Sequence, residues 1–140
     1  MKIYFDNAAT TPMHPEVFEA MVPVLKNQFG NPSSIHSFGR ETRALIEAAR
    51  KTVAALLNAA PAEIFFTSGG TDADNMAIRR TIHDLKITHA ISAATEHHAV
   101  SHTLEELEKD GVIQLHNLNL DEQGHVDLNQ LEAILKEHPG

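Results

Sequence analysis

Cysteine and tryptophan are both absent from the 140-residue sequence. Without a thiol the chain can form no disulfide, no thiolate metal site and no cysteine nucleophile of its own. Basic clusters are lacking too. Eleven Lys and Arg stand against 19 Asp and Glu, and the formal charge is −8 with ten histidines counted neutral. Nucleic acid is therefore not an expected partner, because phosphate neutralisation dominates that kind of binding. No apolar run approaches the ~20 residues that a bilayer-spanning helix needs, so no membrane partner is expected. The N-terminus, Met1-Lys2-Ile3-Tyr4-Phe5-Asp6, reaches an acid before a signal-peptide core could form. A cytoplasmic protein is the expectation. Repeats and low-complexity tracts are also missing. What is present is 42% hydrophobic content over a length that can close one domain around a core.

Read in order, Ile3-Tyr4-Phe5 is a short strand candidate, ended by Asp6–Pro12. Pro15 suits the first position of a helix carrying Val17, Met21 and Leu25, and Pro23 predicts a kink or an early end. Gly30-Asn31-Pro32-Ser33-Ser34 is loop chemistry. From Ser37 to Asn58 the pattern is helical, with Leu45, Ala49, Val53, Leu56 and Leu57 as an apolar stripe. Ala59-Ala60-Pro61 leads into a predicted strand at 63–66, and a helix follows over 72–84, burying Met76, Ala77 and Ile82. A second strand is predicted at 89–94, then a helix to about Glu108 with Val100, Leu104 and Leu107 inward. Gly111 breaks that helix before a third strand at 112–116. Residues 117–124 read as a polar turn, and Asp127 caps a last helix carrying Leu128, Leu131, Ile134 and Leu135. Strands alternating with helices imply a parallel sheet with right-handed crossovers. Three strands are few for such a sheet, and an uncovered parallel edge is a liability. The expectation is the first part of a larger α/β domain.

The stretch with most chemistry in it is Phe65–Asn75, where an apolar run meets Thr67-Ser68-Gly69-Gly70-Thr71 and a helix begins. Glycines let backbone approach a ligand closely, and a helix start offers unpaired N–H groups and the positive end of the dipole. Taken alone, the turn fits an anion cradle and a plain strand-to-helix turn with Thr71 as N-cap equally well. The expected topology sets the loop carrying His97 beside it, at the carboxyl end of the sheet. An anion cradle next to a flat imidazole suits a ligand with a phosphate arm and a planar heterocycle. Gly69-Gly70 lacks the Gly-x-Gly-x-x-Gly spacing of dinucleotide folds, which disfavours nicotinamide cofactors. His98 and His102, one helical turn apart with Glu106 beyond, could contact a metal. A solvated face explains them better, and no metal site is assigned. Asp72 and Asp74 read as first-turn acids, and Arg79 and Arg80 as surface residues.

Four segments carry a resemblance: Asp6–Pro12, Phe29–Ser34, Phe66–Asn75 and Thr95–Val100. In that order they resemble the N-terminal part of cysteine desulfurases, in the class V aminotransferase group of pyridoxal-phosphate enzymes. The resemblance implies the first part of the large domain of a fold-type I transferase, a three-layer α/β/α fold with a mostly parallel sheet, incomplete here. Residues 1–14 would be a segment near the substrate pocket, and 15–140 the first part of the cofactor domain. It further implies that Gly70 and Thr71 hold the phosphate of pyridoxal 5′-phosphate and that His97 stacks on its ring and takes part in proton transfer, as a catalytic residue. Asn7, Ala8, Thr10 and Asn31 would lie near the substrate pocket. Members convert L-cysteine to L-alanine and pass the sulfur as a persulfide to an acceptor or scaffold protein for iron–sulfur or thiocofactor assembly. A homodimer is implied for the full-length enzyme.

The departures concern what the sequence lacks. The family attaches its cofactor to a lysine in a Ser-x-His-Lys setting, and none of Lys2, Lys26, Lys51, Lys86, Lys109 or Lys136 stands in one. The aspartate that pairs with the pyridine nitrogen and the sulfur-accepting cysteine belong to later family segments. The chain by itself is expected not to catalyse. Other readings are another class V enzyme, such as a selenocysteine lyase or an aminotransferase, and a non-catalytic binding or dimerising fragment.

Overall fold

A computed structural model describes residues 2–139. Its elements are α1 (Pro15–Asn27), α2 (Ser37–Leu56), a 3-10 turn at Pro61–Glu63, α3 (Gly70–Leu85), β1 (His89–Ala93), α4 (His98–Lys109), β2 (Gln114–Leu118) and α5 (Leu128–Glu137). They fall into two compact units, Met1–Phe65 and Phe66–Gly140.

In the first unit the predicted strand at residues 3–5 does not form; a turn at residues 7–9 follows instead, with the Ala9 N–H donating to the Asp6 carbonyl at 3.1 Å. α1 runs through Pro23 to Asn27 and does not stop there. α2 is held against the Asn31–Ser34 turn: Arg43 Nε donates to the Pro32 carbonyl at 2.8 Å and Arg40 donates to that of Ile35. Gly39, on the inner side of α2, makes this possible, since a Cβ there would stand 2.5 Å from the Ser34 carbonyl oxygen. The apolar stripe foreseen as core on α2 is largely exposed at Leu45, Leu56 and Leu57, and Ala54 is the buried side chain. The strand expected at 63–66 is also absent. Sheet structure needs a paired neighbour; here Arg50 donates to the Ile64 carbonyl, and among the described residues only β1 and β2 form a ladder.

The second unit is the better packed. β1 and β2 are parallel, in register from His89–Gln114 to Ala93–Leu118. Alternation sends Ala90 and Leu115 to one face, where they meet a core of Ile82 (α3), Leu104 and Leu107 (α4) and Ile113. On α3 the inward side chains are Ile78 and Ile82; Met76 and Ala77, expected inside, are exposed. β2 starts two residues later than predicted. The Gly111 φ of 72° and the bond from the Val112 N–H to the Leu107 carbonyl at 2.9 Å hold Val112 in the turn that closes α4 after Lys109. β2 leads to a turn in which the Asp121 carboxylate accepts from the N–H of Gln123 and of His125 and from His125 Nδ1. Asp127 caps α5 as expected, accepting from Asn129 and Gln130 N–H at 2.9 and 3.1 Å.

His89, Ile91 and His116 occupy the opposite face of the strands, and His138 follows α5. The three imidazoles are half-buried, and the His89 and His138 rings stack with centroids 3.9 Å apart. Partial desolvation, then the His138 and His116 rings, lower the His89 pKa, against an opposing pull from Glu137.

Candidate functional site

α3 begins without a side-chain cap. Its N-cap is Gly69, in extended backbone, and no side chain accepts from the first turn. Asp72 turns back instead, its Oδ2 accepting from Ser68 N–H at 3.1 Å and from Ser68 Oγ at 3.2 Å. Thr67 Oγ1 donates to the Gly69 carbonyl at 3.1 Å. The hydroxyls of the Thr67–Ser68 stretch thereby stiffen the loop while the N–H groups of Gly70 and Thr71 are left for another acceptor. A Cβ built at Gly69 or Gly70 would meet nothing within 4 Å, so the approach to those donors is open. Thr71 is not the N-cap; it lies one position inside the helix.

The other wall comes from the end of β1. Glu96 N–H donates to the Ala93 carbonyl at 3.1 Å, which turns the chain and presents His97 as the N-cap of α4. His97 Nδ1 accepts from the Ala99 N–H at 3.1 Å. A neutral ring with Nδ1 as acceptor carries its proton on Nε2, and Nε2 is the atom left for a ligand. Thr71, Asn75 and His97 line one shallow cavity of about 220 Å³, along with His102, Thr103 and Glu106. Gly70 adjoins it through Thr71. Thr71, next to the glycine turn, and the His97 imidazole thus border the same depression.

The remaining predicted positions lie in the first unit. Asn7 and Ala8 stand in the turn at residues 7–9, and Thr10 Oγ1 is 2.7 Å from the Tyr4 hydroxyl. Asn31 Oδ1 accepts from Ser33 N–H at 2.9 Å. Two residues gain a role the sequence did not suggest. Asn75 Nδ2 donates to the Thr71 carbonyl at 3.0 Å, and its Oδ1 accepts from Arg79 Nε at 3.3 Å. Arg79, read as a surface residue, reaches across to Glu106 on α4 and ties the two helices that carry Thr71 and His97. A partner 27 positions away leaves no local signal. Arg80 is exposed, as read, and it pairs with Asp84. His98 and His102 stack at 4.9 Å on an exposed face, in keeping with a solvated pair.

A short parallel sheet backed by helices, with an open helix start and an imidazole at the carboxyl end, is part of the fold-type I α/β architecture. A NifS-like protein of known structure superposes with a TM-score of 0.84 and 34% identity over 96% of this chain and 37% of its own. A structure described as SspA in complex with cysteine gives a TM-score of 0.80 and 33% identity, covering 93% of this chain and 38% of its own. Residues 3–140 match the family model described as aminotransferase class-V, and the chain belongs to that family. Cysteine desulfurase IscS of Dictyoglomus turgidum is 49% identical over 137 residues, 96% of this chain and 34% of that protein. The chain thus spans about a third of the length of the curated relatives it matches. Among the described residues no helix is long and apolar enough to cross a membrane.

Proposed function

We propose that this chain supplies the phosphate-binding turn and the ring-facing histidine of a pyridoxal-phosphate-dependent cysteine desulfurase. The observation that carries the reading is the shared cavity of Thr71 and His97 beside the uncapped start of α3. The residues fit the group. A phosphate can accept from the N–H groups of Gly70 and Thr71 and from the Thr71 hydroxyl, in the positive field of the helix start. When bound, the cofactor supplies an electron sink for a developing carbanion. His97 orients the ring and holds a transferable proton at Nε2, with Nδ1 occupied by the Ala99 N–H. Asn75, Arg79 and Glu106 keep the two walls at their spacing. The substrate is L-cysteine, a reading supported by the IscS relatives and by the cysteine-bound neighbour. Asn7, Ala8, Thr10 and Asn31 are assigned to the substrate pocket. Sulfur transfer to an acceptor protein, a homodimer and a cytoplasmic location complete the reading.

The test uses a polypeptide that joins this chain to a segment bearing the Ser-x-His-Lys lysine and a sulfur-accepting cysteine. With pyridoxal phosphate and a thiol reductant it should form alanine and sulfide from L-cysteine in equal amounts. His97→Ala should lower kcat by about 10²-fold or more, the range for loss of a positioned proton-transfer group. Binding of pyridoxal phosphate without alanine formation would refute the desulfurase reading and leave the cofactor site standing. Lack of binding would remove both.

A further inference from the structure

At the amino end of the sheet, three imidazoles from three separate elements converge. His89 opens β1, His116 lies on β2 and His138 follows α5. One ring nitrogen of each lies within 4.8 Å of the others. We propose that His89, His116 and His138 bind one divalent transition-metal ion of the zinc class, with a fourth position open to the adjoining cavity.

One pair of nitrogens already has nearly the spacing the ion requires, and the third ring must turn to join it. Tetrahedral zinc holds imidazole nitrogens at ≈ 2.0–2.1 Å, which sets ligand atoms roughly 3.3–3.5 Å from one another. His89 Nδ1 and His116 Nε2 are already 3.1 Å apart. The His138 ring lies stacked on His89 with centroids 3.9 Å apart and planes 17° from parallel, so it must turn out of that stack to aim its in-plane lone pair at a shared ion. His138 stands just past the last turn of α5. The His116 and His138 rings have centroids 5.2 Å apart.

The chemistry also selects the ion. Three neutral nitrogen donors, with no carboxylate in the set and no thiolate in the sequence, suit zinc, nickel or copper(II) better than magnesium or calcium, which prefer oxygen. Three histidines with a vacant fourth position is the ligand set of open rather than closed zinc sites. The open side is provided: His89 and His138 line a cavity of about 660 Å³ whose other walls include Ile91, Ile134 and Leu135. Lys86 and Glu137 also line it, so a cation there meets one charge of each sign.

The ion would join both strands to the far end of α5, at the opposite end of β1 from His97. Its contribution is to order that edge of the unit, and it does not depend on the proposed cofactor chemistry.

The experiment is a titration of the chelator-stripped 140-residue chain with zinc chloride alone, followed by calorimetry and by two-dimensional NMR of the imidazole nitrogens. We expect one equivalent bound, with ring shifts confined to His89, His116 and His138. His116→Asn and His138→Asn should each weaken binding by more than about tenfold, since removal of even an outer-shell partner has that effect. The His98→Asn/His102→Asn double variant, which removes the other stacked pair, should bind as the parent does. Binding of less than half an equivalent would overturn the proposal. So would binding spread over many of the ten histidines, which is also how an unfolded chain would behave. Unaltered binding in both His116→Asn and His138→Asn would overturn it as well. His138 lies beyond the helix and outside the sheet, so its replacement keeps the test valid if the strand variant does not fold.

Discussion

Gly39 and Gly70 are both glycines in helices, and the physical demands on them are opposite. At Gly39 a methyl group would press on the carbonyl oxygens of Ser34 and Asn31, at 2.5 and 2.6 Å. Alanine normally favours a helix by about 1 kcal/mol over glycine; here overpacking reverses the sign. We expect Gly39→Ala to destabilise by roughly 1–3 kcal/mol, read as a lower urea midpoint. A midpoint equal to or above the parent's would contradict the close approach. At Gly70 a Cβ meets open space. Gly70→Ala should therefore melt as the parent does while weakening pyridoxal phosphate binding by roughly tenfold, ~1.4 kcal/mol, measured by absorbance titration. Unchanged affinity would mean that the cradle does not use that backbone. The sequence made the Gly69-Gly70 turn and His97 legible, because a turn and a cap are local chemistry. It could not show Arg79 at work between helices, because Glu106 is nearby only once α3 and α4 have packed. Their exposed ion pair is worth at most ~1 kcal/mol, so Arg79→Ala should disturb the spacing of Thr71 and His97 more than it lowers stability.

Among the elements, helix starts were read more accurately than strands. Asp127 accepts two N–H bonds at the start of α5, and Asp127→Ala should cost ~1 kcal/mol, seen as a lower thermal midpoint. The turn before it has a pH signature. Backbone and ring donation from His125, followed by the N–H groups of Gln123 and Gly124, holds the Asp121 carboxyl below its ordinary pKa. A depressed folded-state pKa means that the turn's contribution is present above the unfolded aspartate value. It is lost as pH falls through the lower folded one. Proton NMR should place the Asp121 midpoint below that of an unstructured aspartate; a midpoint at or above it would argue against the bonds from His125. Strand residues 3–5 and 63–66 were misjudged because an extended apolar run becomes a strand only with a partner at pairing distance. β2 begins only at Gln114 because Gly111 and Val112 are still bonded back to the closing turn of α4.

Across the whole molecule, stability is unevenly distributed. α1 buries no residue, and the first unit as described buries only Gly39 and Ala54. The second unit has Ile82, Leu104, Leu107 and Ile113 in one cluster. Amides of α3 and α4 around that cluster should exchange with deuterium at least about tenfold more slowly than those of α1. Leu104→Ala should cost about 2–5 kcal/mol, and equal protection in the two units would contradict the assignment of the core. The family was visible in the order of four short segments, each of which codes its own turn or cap. The helices, the Asp127 cap and the Gly69-Gly70 turn were determined by the sequence alone, since propensity, capping and glycine freedom act over a few residues. Which apolar faces are buried, which extended runs pair, and the meeting of His89 with His116, 27 positions apart, were decided by the tertiary structure. Contacts between distant positions exist only after the chain has closed on itself, and nothing in the neighbouring residues announces them.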